Sequence, residues 1–177
     1  TGKGASFGGS LIRPEATGYG VVYFTEQMLK YKNNSLKGKK ITISGSGNVA
    51  QYATEKCIEL GAKVITLSDS SGYIIDPDGI DKEKLAFIMD LKNIKRGRIE
   101  SYTKNYPKAS FNAGQTPWNV ACDIALPCAT QNELNGNDAK ILLNNGCICI
   151  GEGANMPCAP EAIELFKKNQ LLFAPGK

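Results

Sequence analysis

The residues whose types and spacing most clearly suggest chemistry are the glycines near position 45. Residues 45–50 read GSGNVA, which fits the pattern G-x-G-x-x-A between a strand and a helix. In that pattern the first glycine permits a tight turn, the second lets backbone approach a pyrophosphate, and a small third residue lets helix pack on strand. The free amide groups at the start of the helix then face the phosphates. Residues 45–50 therefore predict a dinucleotide-binding turn, with a purely structural glycine turn or a site for another nucleotide-like ligand as the alternatives.

An acidic residue and a basic cluster bear on which dinucleotide would bind. Asp69 lies 24 residues beyond the first glycine of the turn, where a carboxylate normally accepts from a ribose hydroxyl and favours NAD. Lys92, Lys95 and Arg98 are three residues apart, so they would share one side of a helix if it continues that far. Together with Ser70 they would hold the 2′-phosphate of NADP. The alternative for these cations is a solvated helix face.

The six cysteines and the lack of histidine limit the other chemistries. No two cysteines form a CxxC pair, and no histidine completes a mixed zinc site or a Ser-His-Asp or Cys-His catalyst within the chain. We expect buried free thiols and no metal site. Cys147 and Cys149 alternate with isoleucines, which on a strand would put both sulfurs on one face.

The elements that must position these residues alternate along the chain. A strand at 41–44, a helix ending near Gly61 and a strand at 64–67 form a βαβ unit over 40–68, whose strands should pair in parallel. The other expected elements are helices at 14–32, 81–92, 137–144 and 160–168 and strands at 122–126, 147–150 and 171–173. This alternation predicts an α/β fold, a doubly wound, mostly parallel Rossmann-like sheet with helices on both faces.

Length and composition place the chain among ordinary folded domains. It has 177 residues, of which 42% are hydrophobic and 21% charged, and a net charge of +4 that is spread along the chain. We therefore expect one domain and no nucleic-acid partner. No apolar run approaches the roughly 18 residues of a membrane span, and no signal peptide is visible. We expect a cytoplasmic protein without a membrane partner, and a chain that is part of a longer one.

Six segments of the chain carry, in order, the motifs of a known family. They are KGASFGGS at 3–10, RPEATGYG at 13–20, SGSGNVAQY at 44–52, SDSSG at 68–72, PCATQNE at 127–133 and EGANMP at 152–157. Together they resemble the hexameric glutamate dehydrogenases, particularly the NADP-dependent type. The resemblance implies that residues 1–177 are the dinucleotide-binding domain, with 1–32 as hinge segment and leading helix, 40–68 as phosphate-binding unit and 69–177 as the remainder of the sheet. The substrate domain would lie outside the chain.

The resemblance also implies a set of cofactor-binding residues. Thr17 and Asn155 would meet the nicotinamide end, although Thr17 could instead pack in the first helical turn. The remaining expected residues are those of the turn, of the basic cluster and of a loop lining the cleft: Gly45, Ser46, Gly47, Asn48, Val49, Asp69, Ser70, Lys92, Lys95, Arg98, Ala129, Thr130, Gln131 and Asn132. The expected cofactor is NADP, with NAD as the alternative.

For the intact enzyme the resemblance implies a homohexamer that reversibly deaminates L-glutamate to 2-oxoglutarate and ammonia. The family's catalytic Lys and Asp precede the segment that this chain matches, so no catalytic residue is assigned here, and Lys3 does not fit the family's Lys motif. The chain alone should bind cofactor without turnover. The alternatives are the cofactor domain of a leucine, phenylalanine or valine dehydrogenase and a non-catalytic nucleotide-binding module.

Overall fold

The computed structural model describes residues 14–176, so the expected hinge segment at 1–13 lies outside the described residues. The strands are β1 (Lys40–Ile43), β2 (Lys63–Asp69), β3 (Gly72–Ile75), β4 (Ser110–Ala113), β5 (Ile124–Leu126), β6 (Cys149–Gly151) and β7 (Leu172–Ala174). The helices are α1 (Ala16–Tyr31), α2 (Asn48–Glu59), α3 (Lys82–Met89), α4 (Tyr102–Asn105), α5 (Gly136–Asn144) and α6 (Pro160–Lys168). None of these helices is both long and apolar enough to cross a membrane.

All seven strands form one sheet in the order β4-β3-β2-β1-β5-β6-β7. The five strands from β2 to β7 in that order pair in parallel, which confirms the expected doubly wound α/β class. Side chains alternate between two buried clusters: Ile124 and Leu126 pack with α1, α2 and α3, whereas Ala125 packs with α5 and α6. The sheet is therefore covered by helices on both faces.

The edge formed by β3 and β4 was absent from the sequence prediction, which placed no strand between 67 and 122. Both strands run antiparallel to their neighbours. Gly72, with φ +146°, starts β3 so close to β4 that a Cβ would lie 2.2 Å from the carbonyl oxygen of Asn112. Each strand has only four residues, and β4 carries polar side chains. Such short strands have too little alternation to be recognised without their pairing partners.

The expected helix at 81–92 changes its geometry before its end. Asp81 caps α3 by accepting from the amide of Lys84 at 2.9 Å. After Met89 the helix continues as a π-helix over Asp90–Ile94, and Arg96 then takes a left-handed φ of +54°. The helix therefore ends before Arg98, and the assumption that three cations share one helix face is wrong.

The prediction that Cys147 and Cys149 place their sulfurs on one face of a strand is also wrong. Cys149 packs in the cluster beneath α1 and α2, whereas Cys147 packs in the cluster beneath α5 and α6. The reason is that the strand begins only at Cys149, while the amide of Cys147 still bonds to the carbonyl of Leu142 in the turn that follows α5. All six cysteines are buried free thiols, as expected.

Candidate functional site

A cleft lies at the carboxyl ends of β1, β2 and β5. From β1 the chain proceeds to β2 on one side of the sheet and returns later to β5 on the other, which makes this the topological switch point where open α/β sheets bind ligands. The cleft has a volume of about 600 Å³, within the usual range for ligand sites. It is lined by Gly45, Ser46, Gly47, Asn48, Val49, Ser68, Asp69, Ser70, Lys92, Gln115, Thr116, Cys128, Ala129, Thr130 and Glu133.

The floor of the cleft is the turn at residues 45–49, which we call the pyrophosphate turn. Gly45 has φ +84°, and a Cβ there would lie 2.9 Å from the carbonyl oxygen of Cys128, so only glycine fits. The amide of Gly45 donates to Ser68 Oγ at 2.7 Å, and the amide of Ser68 donates to the carbonyl of Gly45 at 3.0 Å. Ser68 of β2 therefore holds the first residue of the turn through two hydrogen bonds.

Gly47 is a glycine for a different reason. Its φ of −85° suits any residue, and within residues 14–176 no atom lies within 4 Å of where its Cβ would stand. It is the N-cap of α2, and no described side chain caps that helix, whereas Asp81 and Asn135 cap α3 and α5. The first amides of α2 are thus available to an anion in the cleft.

Asp69 lies at the end of β2 and is fully occupied by contacts within the chain. Its Oδ1 accepts from the amide and hydroxyl of Ser71 at 2.9 and 2.6 Å. Its Oδ2 accepts from Lys92 Nζ and from the amide of Ile99, both at 2.8 Å. Burial alone would raise the pKa of Asp69, but these hydrogen bonds outweigh it and lower the pKa to about 2.

Two of the three expected cations meet at Asp69 and Ser70, and we call Asp69, Ser70, Lys92 and Arg98 the basic clamp. Lys92 Nζ also donates to the carbonyl of Gly97 at 2.8 Å, which leaves one of its three N–H donors for a ligand. Arg98 Nη1 donates to Ser70 Oγ at 2.6 Å. Lys92 therefore lines the cleft beside the end of β2, whereas Arg98 does not line it and contacts it only through Ser70.

Lys95 lies apart from the basic clamp. Its Nζ pairs with Asp90 Oδ2 at 2.6 Å, and 62% of its side chain is exposed. Lys95 thus agrees with the alternative given for the three cations in the sequence analysis, a charged residue exposed to solvent.

The loop that follows β5 lines the opposite wall of the cleft and is bonded to the loop that follows β6. The carboxylate of Glu133 accepts from the amides of Ala129 and Thr130 at 2.9 and 3.2 Å, and burial raises its pKa. The amide of Asn132 donates to the carbonyl of Met156 at 3.0 Å, and both residues have a left-handed φ. The loop after β6 is thus bonded to the wall without lining the cleft itself.

Thr17, Gln131, Asn132 and Asn155 are exposed and do not line the cleft itself. Thr17 precedes Gly18, where a Cβ would lie 2.7 Å from the carbonyl oxygen of Val49. Asn155 follows Gly153, where a Cβ would lie 3.1 Å from Val49 Cγ1. The segments that carry Thr17 and Asn155 therefore both approach the start of α2.

Five cleft residues were not among the expected site residues: Ser68, Gln115, Thr116, Cys128 and Glu133. Ser68, Cys128 and Glu133 belong to the segments SDSSG and PCATQNE, so their motifs were a usable signal. Gln115 and Thr116 follow β4, the strand that the sequence did not reveal, and nothing in their local pattern indicated the cleft.

Comparison with known proteins gives consistent matches. Residues 8–177 match the family model described as Glutamate/Leucine/Phenylalanine/Valine dehydrogenase. Over its full length the chain is 62% identical to a glutamate dehydrogenase of Bacteroides thetaiotaomicron and 57% identical to an NADP-specific glutamate dehydrogenase of Haemophilus influenzae. It covers 40% and 39% of those proteins, so it spans about 40% of the length of the curated relatives it matches. Other relatives carry the names NAD(P)-specific and NAD-specific.

A solved structure is similar over the same extent. The crystal structure of Plasmodium falciparum glutamate dehydrogenase superposes with a TM-score of 0.92 at 48% identity, covering 99% of this chain and 38% of that one.

Proposed function

The chain belongs to the Glutamate/Leucine/Phenylalanine/Valine dehydrogenase family, and from that premise we propose that it is the dinucleotide-binding domain of a glutamate dehydrogenase. The intact enzyme would catalyse the reversible oxidative deamination of L-glutamate to 2-oxoglutarate and ammonia. The names of its relatives at 50–62% identity support glutamate rather than leucine, phenylalanine or valine as substrate. The observation that carries the proposal is the uncapped amino end of α2, which opens onto the cleft beside the Gly45 turn.

The residues present fit a nicotinamide dinucleotide. Gly47 leaves open space where backbone would meet a pyrophosphate, and the free amides of α2 supply donors for its charge. When bound, the dinucleotide supplies the ring that accepts or gives up hydride. In this proposal Ser46, Asn48 and Val49 hold the pyrophosphate together with the two glycines of the turn.

The wall of the cleft would position the rest of the cofactor. Ala129, Thr130, Gln131 and Asn132 would line its path beyond β5. Thr17 and Asn155 would meet the nicotinamide end, and the approach of their neighbours Gly18 and Gly153 to Val49 supports that assignment.

Relatives of this chain are named for NAD, NADP or both, and within that range we propose NADP. Asp69 would disfavour NADP if its carboxylate were free, but it already accepts four hydrogen bonds from the chain. Its charge is balanced by Lys92, and a ribose hydroxyl would have to displace an existing donor. Ser70, Lys92 and Arg98 would then hold the 2′-phosphate, whereas Lys95 would contribute little.

The double variant Lys92→Ala/Arg98→Ala tests this preference. Each charge-assisted hydrogen bond contributes about 1.5 to 3 kcal/mol, and screening by salt reduces this for an exposed side chain such as Arg98, so losing two should weaken NADPH binding at least about tenfold. NADH lacks the phosphate and should change less than about twofold by the same reasoning. Dissociation constants for both cofactors, measured at one salt concentration, decide the matter. An equal loss for both cofactors, or a wild-type preference for NADH, contradicts the proposal.

We also propose that this chain binds dinucleotide without turning over glutamate, because the family's catalytic Lys and Asp lie outside the segment it matches. Calorimetry with NADPH and a glutamate oxidation assay on the same purified sample test both parts. Turnover by the purified chain would refute the second part. For the intact protein we propose a cytoplasmic homohexamer whose partners are the small molecules glutamate and 2-oxoglutarate, and sedimentation of the full-length parent tests its assembly.

A further inference from the structure

A pair of side-chain amides joins α2 to the π-helix that carries Lys92. Gln51 Nε2 donates to Asn93 Oδ1 at 3.1 Å, and Asn93 Nδ2 donates back to Gln51 Oε1 at 3.0 Å. The two residues are 42 positions apart in the sequence. Gln51 is completely buried and Asn93 lies at the surface, so the pair reaches from the interior to the surface.

Gln51 is also tied to the pyrophosphate turn. The second hydrogen of its Nε2 serves the carbonyl of Ser46, at an N···O distance of 2.7 Å. One buried amide therefore contacts the turn on one side and the π-helix on the other. Neither Gln51 nor Asn93 is among the residues that line the cleft.

Lys92 is held in two ways, through its ammonium and through its backbone. Its ammonium donates to Asp69 Oδ2 at the end of β2 and to the carbonyl of Gly97. Its backbone lies in the π-helix, where the next residue, Asn93, is held from α2 by Gln51. π-Helical turns are rare and are frequent at functional sites. In this one Leu91 is buried, and the amide pair links Asn93 to α2, the helix that follows the turn.

We propose that Gln51 and Asn93 are positioning residues that set the preference for NADP over NAD, by holding the Lys92 segment at a fixed distance from the pyrophosphate turn. The inference rests on the proposed function of the cleft as an NADP site. The amide pair acts through Lys92 and touches no part of the cofactor. A dinucleotide bound at the turn would then meet Lys92 already in place to receive a 2′-phosphate.

Asn93→Leu is the sharpest test, because it removes the amide at similar volume from an exposed position and leaves the bond from Gln51 to Ser46 intact. Neutral hydrogen bonds lost from the pair should weaken NADPH binding about threefold to tenfold. Binding of NADH should change less than about twofold, since the turn is unaltered. Asn169→Leu is the matched control, because Asn169 donates its amide to the carbonyl of Leu165 on α6, away from the cleft. It should leave both dissociation constants unchanged.

Gln51→Met removes both attachments and should weaken both cofactors, NADPH more than NADH. Combining it with Asn93→Leu should cost NADPH no more than Gln51→Met alone, because the two amides act as one unit. Thermal unfolding of each variant establishes that it is folded, and Asn93→Leu carries the test if Gln51→Met does not fold.

The inference is overturned if folded Asn93→Leu keeps the wild-type ratio of the two dissociation constants. The variant Lys92→Ala/Arg98→Ala, measured alongside, separates the two possible failures. A changed ratio there with an unchanged ratio in Asn93→Leu removes only the positioning role. An unchanged ratio in both refutes the NADP site and the inference together.

Discussion

The pyrophosphate turn and the basic clamp border the same cleft but are built in different ways. The turn offers backbone amides from the consecutive residues after Gly45, whose own amide is bonded to Ser68, and its conformation follows from Gly45 and from the strand that precedes it. The clamp offers side chains from two segments 23 to 30 residues apart, and its geometry follows from the bonds of Asp69. In the proposed site, backbone donors would bind the pyrophosphate that every dinucleotide carries, whereas the side chains of the clamp would discriminate between dinucleotides. The general part of the proposed site is thus local in sequence, and the selective part is not.

Asp69 shows most clearly what this difference means. By its position in the sequence it should accept from a ribose and favour NAD. In the folded chain it serves the clamp, because Lys92, Ser71 and the amide of Ile99 satisfy both oxygens. The same carboxylate can therefore support the opposite cofactor preference once its partners are known.

The largest expected effects come from the two glycines of the turn, because substituting Gly47 should reduce affinity and substituting Gly45 should reduce stability. Gly47→Val places a side chain where the pyrophosphate would approach, and losing two charge-assisted bonds should weaken NADPH and NADH alike by at least about a hundredfold. The variant should remain folded, because the Cβ meets no described atom. Gly45→Val should instead destabilise the fold by at least about 2 kcal/mol, from its left-handed φ and its contact with Cys128. Calorimetry and chemical denaturation measure the two effects. Unchanged affinity in folded Gly47→Val would remove the turn from the site.

The next effect concerns the stability of the clamp and its dependence on pH. Asp69→Asn should lower the free energy of unfolding by about 2 kcal/mol at pH 7, since Lys92 and Ile99 lose a charged acceptor. The pKa of Asp69 is about 2 in the folded chain and about 3.9 when unfolded. Because the folded value is the lower one, this stabilisation is present above about pH 4 and is lost as the pH falls through about 2. Denaturation curves at pH 3 and pH 7 should therefore differ less for Asp69→Asn than for wild type. A variant with the wild-type difference would show that the ion pair is unimportant.

A smaller effect is expected when the turn loses the hydrogen bond from the amide of Gly45 to Ser68 Oγ. Ser68→Ala leaves the buried amide of Gly45 without its acceptor, which should cost about 1 kcal/mol of stability. Because the turn serves both cofactors, the affinities for NADPH and NADH should fall by the same factor. The ratio of the two dissociation constants is the quantity to measure. A selective loss of affinity for NADPH would mean that the turn and the clamp do not act independently.

The smallest effect is expected at the cation outside the clamp. Lys95→Ala removes a largely exposed pair with Asp90, and such pairs contribute about 0 to 1 kcal/mol. NADPH affinity should change less than about twofold by the same measure. Titration of this variant beside Lys92→Ala/Arg98→Ala makes it the control for general loss of positive charge. A tenfold loss in Lys95→Ala would extend the clamp to a third cation.

Local patterns determined the parts of the molecule that are continuous in sequence. Apolar periodicity and turn residues gave α1, α2, α5 and α6 and the parallel strands to within a few residues. The GSGNVA segment located the turn, because its function depends on backbone conformation and on the absence of side chains, which the residue types state directly. The caps of α5 and α3, Asn135 and Asp81, are also local, because each side chain bonds to amides two or three residues further along the chain.

The tertiary structure alone decided the rest, because it depends on which distant groups meet. The four-residue strands β3 and β4 become strands only through pairing with β2 and with each other. The π-helix after α3 directs Lys92 to Asp69 and leaves Lys95 with Asp90, which a uniform helix would not do. Because Lys92, Lys95 and Arg98 are equally spaced in the sequence, the sequence alone assigned all three the same role. Their hydrogen-bond partners, 5 to 28 residues away along the chain, made those roles different.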